Sequence, residues 1–180
     1  MKYGLIRTCI GDSTARVTVI APITVVAATS GRGTCLIELN VLERRFRAAH
    51  PGAVRDDAAL ADALGPLKRY FAGERVSFRS LKLDLSAGSP FQQAVWRELC
   101  RIPRGEVICY SELARRVGRP RAARAVGNAV GRNPIPIIVP CHRVIKADGS
   151  IGGFSCGLEI KRALHEIEGI AVRRGESHRT

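Results

Sequence analysis

Residues 111–130 read SELARRVGRPRAARAVGNAV, and this stretch decides the fold of the second half of the chain. Ser111 is placed to cap a helix running to about Val117, since its hydroxyl can accept from the free N–H groups of a first turn. Gly118-Arg119-Pro120 turns the chain, and a second helix is expected from about Arg121 to Val130. Helix, tight turn with glycine, helix is the signature of a helix-turn-helix. The second helix sets Ala122, Ala123, Ala125, Gly127 and Ala129 around one long cation, Arg124. So slim a rod suits a minor groove, with Arg124 wedged into the base stack; it lacks the long polar side chains that read base edges in the major groove. The same small residues equally suit close packing against a neighbouring helix, and pattern alone does not separate the two.

Upstream, Ser89 fits an N-cap, with Pro90 at the first helical position and Gln92 close behind. Phe91, Val95, Trp96 and Leu99 then share one helical face. Composition changes near Ser86–Pro90, which predicts a boundary between an N-terminal α/β domain with a small sheet (1–86) and a mainly helical C-terminal domain containing the helix-turn-helix (87–180). In the first half, Ala15–Val26 and Gly33–Leu39 are rich in Val, Ile and Thr and predict strands. Val41–Ala49 predicts a helix stopped at His50-Pro51-Gly52. Leu60, Leu64, Leu67, Tyr70 and Phe71 predict another within Asp56–Phe71, with Gly65-Pro66 as its breaking point and Ala72-Gly73-Glu74 as the turn after it.

Charge narrows the partner. Lys and Arg number 29 against 16 acidic residues, a formal net charge of +13, which favours a polyanion because each neutralised phosphate releases counterions. Nine of the arginines lie between Arg97 and Arg132 against three glutamates, a local +6, and arginine forks onto phosphate and stacks on bases. Met1–Ile10 has no signal-peptide pattern, and Val17–Ala28 is too short to span a bilayer and contains Pro22. A cytoplasmic, reducing setting is therefore expected, with the six cysteines mostly buried thiols and no membrane association. No CxxC pair occurs and the four histidines are scattered, so neither metal nor cofactor is expected.

Downstream, Asn133-Pro134-Ile135-Pro136 forces an extended turn, Ile137–Val139 predicts a short buried strand ended by Pro140, and Leu158–Glu168 predicts a helix with Ile160, Ala163, Leu164 and Ile167 inward and Gly169 as its stop. Cys141 follows that strand directly. A thiol becomes a nucleophile where a base or a positive field favours thiolate, and His142 and Arg143 could supply both. For an arbitrary Cys-His pair, an inert buried cysteine beside a surface histidine is the commoner outcome.

The wider string changes that balance. Pro140-Cys-His-Arg-Val144, Arg124-Ala-Val-Gly-Asn-Ala129, Asn133-Pro-Ile-Pro-Ile-Ile-Val139, Ser89-Pro-Phe-Gln-Gln-Ala-Val-Trp96 and Gly105-Glu-Val-Ile-Cys-Tyr110 occur in order, and together they resemble the DNA-binding half of the O6-alkylguanine-DNA alkyltransferases. The first half resembles that family in size, α/β make-up and the Tyr70-Phe-Ala-Gly-Glu74 turn. The resemblance implies direct-reversal DNA repair: one irreversible transfer of an alkyl group from guanine O6 in double-stranded DNA to Cys141, by a monomer bound through the minor groove. It implies that His142 acts through a bound water as base, that Glu168 orients His142, that Asn133 braces the active-site turn, and that Tyr110 donates to the departing guanine. It further implies that Arg124 fills the gap left by a flipped nucleotide, that Ala123, Gly127, Tyr110 and Arg132 meet the DNA, and that Val144, Phe154, Ser155 and Cys156 form the base pocket. The chemistry suits these types. An ether-linked alkyl carbon is a weak electrophile and calls for a soft, ionised sulfur, while the leaving base needs a donor.

Three departures stand out. Phe154 sits where many relatives carry Tyr, Cys156 where Gly is common, and Gly131-Arg132 reverses an Arg-Gly order. Three other readings stay open on sequence: a lesion binder without transfer, a transcription factor and a cysteine hydrolase. The presence of Cys141 opposes the first, and the small-residue helix opposes the second.

Overall fold

Val, Ile and Thr are stiff at χ1 and favour extended backbone, and the first half uses them in that way. The computed structural model describes residues 2–10, 20–29, 35–40, 48, 51–52 and 54–172. Its first compact unit comprises Met1–Ala87 together with Pro134–Ile138. A sheet of five strands runs β4-β1-β2-β3-β5, with β1 Lys2–Ile10, β2 Ile20–Thr29, β3 Cys35–Asn40, β4 Val54–Arg55 and β5 Lys82–Leu83. β1 and β2 pair antiparallel with Leu5 opposite Val26, and their register shifts between Thr8 and Ile10. β4 joins β1 and β5 joins β3 in parallel.

β2 and β3 correspond to the two expected strands, and each runs on past the expected C-terminal end, to Thr29 and Asn40. Residues 15–19, 33 and 34 and nearly all of the expected helix at 41–49 lie outside the described residues. β1 is a strand that the pattern did not announce, since Gly4 and Arg7 interrupt its alternation. The expected helix at 56–71 begins as a short 3-10 turn, Ala58–Leu60, and continues as α1, Ala61–Phe71. Pro66 lies inside α1 without ending it. The carbonyl that loses its donor belongs to Asp62, which is exposed and can bond water, while Leu60, Ala63, Leu64, Leu67 and Tyr70 bury the opposite face. Tyr70 also meets Phe71 and Phe78 at ring separations of 5.6 and 5.8 Å.

The second unit comprises Gly88–Asn133 and Val139–Thr180. α2, Pro90–Leu99, starts as the sequence predicts: the Ser89 side chain accepts from the Gln92 N–H, and the Gln92 side chain accepts from the Ser89 N–H at 2.8 Å. Val95, Trp96 and Leu99 are buried, and the Trp96 indole donates to the Ala129 carbonyl at 2.8 Å. That bond ties α2 to α4. α3 spans Tyr110–Arg116, α4 Ala123–Gly131 and α5 Leu158–Glu168, and β6 (Ile108–Cys109) pairs in parallel with β7 (Val144–Ile145).

Four local expectations change here. α3 starts one residue before Ser111, and no side chain caps it; the Ser111 hydroxyl sits 3.1 Å from the Cys109 sulfur instead. α4 starts at Ala123, two residues late, because Arg119–Ala122 form a turn closed by the Ala122 N–H to the Arg119 carbonyl. Ile137–Val139 is buried but is not a strand. Ile137 and Ile138 are turn residues, and Ile137 takes a φ of 77°, which is rare for a β-branched residue. On α5, Ile160 and Ile167 are only half-buried, and the inner face carries Lys161, His165 and Glu168 beside Ala163 and Leu164. Gly169 ends α5 in the left-handed region, as expected. No helix among the described residues is long and apolar enough to cross a membrane.

Candidate active site

The site is assembled where α4, the β6–α3 junction and the loop before α5 meet the short turn at Cys141. That turn is a 3-10 helix, Cys141–Arg143, leading straight into β7. It is held from behind: the Cys141 N–H donates to the Val139 carbonyl at 2.8 Å, and the Asn133 amide donates to the same carbonyl at 2.7 Å. Cys141 is 3% exposed, yet its wall opens on a cavity of about 230 Å³. Tyr110 forms one side of that cavity, Gly127, Val130 and Gly131 of α4 another, and Gly153, Phe154 and Ser155 a third. The volume is below the roughly 300–1,000 Å³ of sites for drug-sized ligands, as suits a single flat ring. Of the expected pocket residues, Phe154 and Ser155 line it, whereas Val144 and Cys156 do not.

Behind the sulfur lies a buried charge network. Glu168 Oε1 accepts from His142 Nε2 at 2.9 Å and from Arg143 Nη2 at 2.8 Å, and Oε2 accepts from Arg143 Nε at 2.8 Å. Arg143 Nη1 also donates to the Ile102 carbonyl at 2.6 Å. The Glu168 side chain is fully enclosed. Burial alone would raise its carboxyl, but the bonds from His142 and Arg143 outweigh that and hold it well below the usual carboxylate range. Because an ionised carboxylate only accepts, His142 Nε2 carries the proton and Nδ1 is left with its lone pair. Nδ1 is buried with no hydrogen-bond partner. Burial also lowers the His142 pKa despite the upward pull of Glu168, so the ring is neutral at pH 7 and able to accept a proton.

The sulfur itself rests protonated. Burial pushes the Cys141 thiol up to about 12, against the downward pull of the Asn133 hydrogen bond and, after an upward push from Cys156, of the Lys161 charge. At neutral pH the resting thiol is protonated. A standing thiolate is therefore not a property of the resting site, and nucleophilicity has to be created when a base takes the proton. Burial, with a further push from Cys141, raises the Tyr110 phenol, which keeps it a donor. Its ring lies by Gly127 and Gly152: a Cβ at either would sit 3.5–3.8 Å from it, and Gly152 has a φ of +70° that a larger residue would strain to adopt.

Two buried groups escaped the sequence reading. Lys161 donates to the carbonyls of Val144, Ile151 and Gly153 at 2.6, 2.5 and 3.3 Å. His165 Nε2 donates to the His142 carbonyl at 2.7 Å. Both occupy the inner face of α5, and the only sequence signal was their helical spacing with Glu168.

On the outer face, Arg119, Arg121, Arg124 and Arg132 are exposed, Arg124 on the first turn of α4 and Arg132 just past its end. Ala123 and Gly127 are half-buried on the same helix. Not all the local charge is available: Arg115 and Arg116 both pair with Glu112, at 2.5 and 3.0 Å, and Arg101 pairs with Glu98 at 2.8 Å. Cys100, Cys109, Cys141 and Cys156 form no disulfide; of these four Cys141 is buried, Cys109 and Cys156 are half-buried and Cys100 is exposed, so the expectation of mostly buried thiols does not hold for them. Among the described residues no group of three or more His, Cys, Asp or Glu could hold a metal ion.

Comparison with known proteins adds a family. Residues 90–170 match the DNA-binding domain of 6-O-methylguanine DNA methyltransferase. A methylated-DNA–protein-cysteine methyltransferase of Mycobacterium bovis is 46% identical over 149 residues, which cover 83% of this chain and 87% of the relative. Among solved structures, the chain is similar to the Mycobacterium tuberculosis OGT in complex with DNA, with 42% identity, a TM-score of 0.75 and coverage of 93% of this chain and 92% of the other. It is also similar to the O6-methylguanine-DNA methyltransferase of the hyperthermophilic archaeon Pyrococcus kodakaraensis, at 28% identity and a TM-score of 0.69 over 93% of this chain and 99% of the other.

Proposed function

Since the chain belongs to the methylated-DNA–protein-cysteine methyltransferases, we propose that it repairs DNA by moving the alkyl group of O6-alkylguanine onto Cys141, once per molecule. The observation that carries this reading is the placement of the Cys141 sulfur on the wall of a cavity that α4 also lines, with a neutral histidine and a buried carboxylate behind it.

A lesion inside a duplex cannot reach that cavity until its nucleotide is extruded, at a cost of a few kcal/mol of unstacking. α3 and α4 act as the helix-turn-helix, and α4, narrow because of Ala123 and Gly127, enters the minor groove. Arg124 takes the place of the extruded base, Arg132 contacts phosphate, and Phe154 offers a ring against which the guanine stacks. Residues 87–180 carry this work and residues 1–86 support it.

In the chemical step, His142 Nδ1 takes the thiol proton through one water, which also satisfies a buried atom that protein leaves unpaired. Glu168 stabilises the imidazolium, and Arg143 keeps Glu168 ionised. The sulfur forms a bond to the alkyl carbon while the C–O6 bond breaks and its electron pair stays on guanine. Tyr110 supplies the proton or hydrogen bond that the departing base needs. The product is a thioether that no group in the site can reverse, so the protein is consumed. Cys100, Cys109, Cys141 and Cys156, none of them in a disulfide, suit a reducing cytoplasm, and the step runs within one subunit.

The test is transfer of radiolabelled methyl from an O6-methylguanine duplex. Label is expected on the wild-type protein and absent from Cys141→Ala; an active wild-type preparation that binds the duplex but takes up no label would refute the reading.

A further inference from the structure

Lys161 is a buried charge that the chemistry above does not use. Its side chain is enclosed within the second unit, on the inner face of α5, where an unneutralised ammonium is costly unless its donors are satisfied. Three carbonyls satisfy them: Val144 at 2.6 Å, Ile151 at 2.5 Å and Gly153 at 3.3 Å. An ammonium has three donors and no acceptor, so the match is complete.

The identity of those carbonyls matters more than their number. Val144 opens β7 and directly follows the turn that carries Cys141, His142 and Arg143. Ile151 and Gly153 flank Gly152, whose left-handed backbone sets it beside the Tyr110 ring, and Gly153 leads into Phe154 and Ser155 on the cavity wall. One side chain thus binds the strand behind the acceptor sulfur to the loop that faces it. Residues 151–154 have no regular secondary structure of their own. Before them the Ser150 N–H donates to Asp148 and the Ser150 carbonyl accepts from the Lys146 N–H at 3.0 Å, and at their end the Phe154 carbonyl accepts from the Gly157 N–H at 3.1 Å. Between these two backbone anchors, the bonds to Ile151 and Gly153 come from Lys161. From this juxtaposition we propose that Lys161 is a positioning residue for the alkyl-acceptor pocket, fixing the separation between Cys141 and the 151–155 wall so that an extruded base meets the sulfur at reacting distance. A methionine there would keep the bulk and lose every donor, and the loop would drift from the sulfur while the rest of the unit kept its core.

Burial pulls the Lys161 ammonium down to about 8, opposed by Cys141, so it is largely charged at neutral pH and can serve all three carbonyls. This inference rests on the proposed transfer reaction, so the experiment separates the two. Wild type is assayed first for single-turnover methyl transfer from an O6-methylguanine duplex; no transfer there refutes the reaction and the positioning role with it. With wild type active, Lys161→Met is compared with Lys161→Arg, which keeps a charged donor. The readouts are saturating transfer rate, half-saturating duplex concentration, affinity for undamaged duplex and amide hydrogen exchange. For Lys161→Met the saturating rate is expected to fall on the order of tenfold to a hundredfold, as misplacement of reacting groups does. Exchange should quicken at Gly152–Ser155, affinity for undamaged duplex should stay put, and Lys161→Arg should recover part of the rate. The proposal is overturned by unchanged exchange in that loop, by an unchanged saturating rate, or by a loss that appears only in duplex affinity. Should Lys161→Met not fold, the same readouts on Lys161→Gln, with two donors instead of three, decide it: a rate and loop exchange equal to wild type overturn the clamp.

Discussion

Replacing Glu168 by glutamine tests the buried network most severely. The carboxylate accepts from His142 Nε2, from two nitrogens of Arg143 and, at 3.5 Å, from the Gly105 N–H, and its side chain has no exposed surface. Glutamine has one acceptor oxygen, and its amide would point N–H groups at N–H groups, leaving the Arg143 charge enclosed without its counter-ion. Breaking a buried pair from one side costs about 3–5 kcal/mol. In a chain of this size each kcal/mol lowers the melting temperature by about 2–4 °C, so Glu168→Gln should melt roughly 6–20 °C below wild type. Because the coupling is to Arg143, Arg143→Met and the double variant complete a cycle: the double should lose less than the sum of the singles by about 1–3 kcal/mol. Calorimetry gives the stabilities, and single-turnover methyl transfer should slow by about 10²–10⁴-fold as His142 loses its orienting charge. Additive losses, or a melting temperature within about 2 °C of wild type, would refute the network as drawn.

Three further outcomes follow from the same structure. Arg124→Ala should slow repair of a damaged duplex by on the order of tenfold or more while leaving reaction with free O6-alkylguanine base unchanged, because only the duplex requires extrusion; equal losses on both substrates would remove its flipping role. The folded-state pKa values of His142, His165 and Glu168 are all lowered. Their stabilising contribution is therefore full above the ordinary values and is lost as pH falls, first below 6.5 for the histidines and then below 4.5 for the glutamate. Thermal melting across that range should show the decline, and a melting temperature that rises on acidification would contradict it. Gly65→Ala, inside α1 and directly before Pro66, should destabilise, because in helical backbone the added Cβ meets the proline ring carbon; a fall in melting temperature checks it, and a rise would contradict it.

The linear motifs survive translation into three dimensions better than the backbone does. The capping box at Ser89, the glycine stop at Gly169 and the inward Val95, Trp96 and Leu99 are local signals, each set by residues within one or two helical turns, and they stand where the pattern put them. Cys141, His142, Glu168, Asn133 and Tyr110 do converge, although they are drawn from positions as distant as 110 and 168. Their meeting was legible only through family resemblance, since periodicity says nothing about which helices meet. The turn at Ile137 and Ile138 read as a strand because a run of apolar β-branched residues looks alike whether it pairs or merely packs, and a φ of 77° at Ile137 is a backbone state that pattern does not announce for such a residue. Lys161 was invisible for a similar reason: a lysine beside Ile160 reads as a solvated helix face until three carbonyls are found around it. The protonated sulfur could not be foreseen either, because the His-Arg neighbourhood suggests a lowered pKa and only burial, a three-dimensional quantity, reverses the sign.

The most direct check of the central claim counts methyl groups per protein. With a large excess of O6-methylguanine duplex, label should rise to one per chain and stop, and peptide mapping should find all of it on the peptide bearing Cys141. Label that keeps being released into solution, or that settles on another cysteine, would contradict a single buried thiol consumed in one transfer.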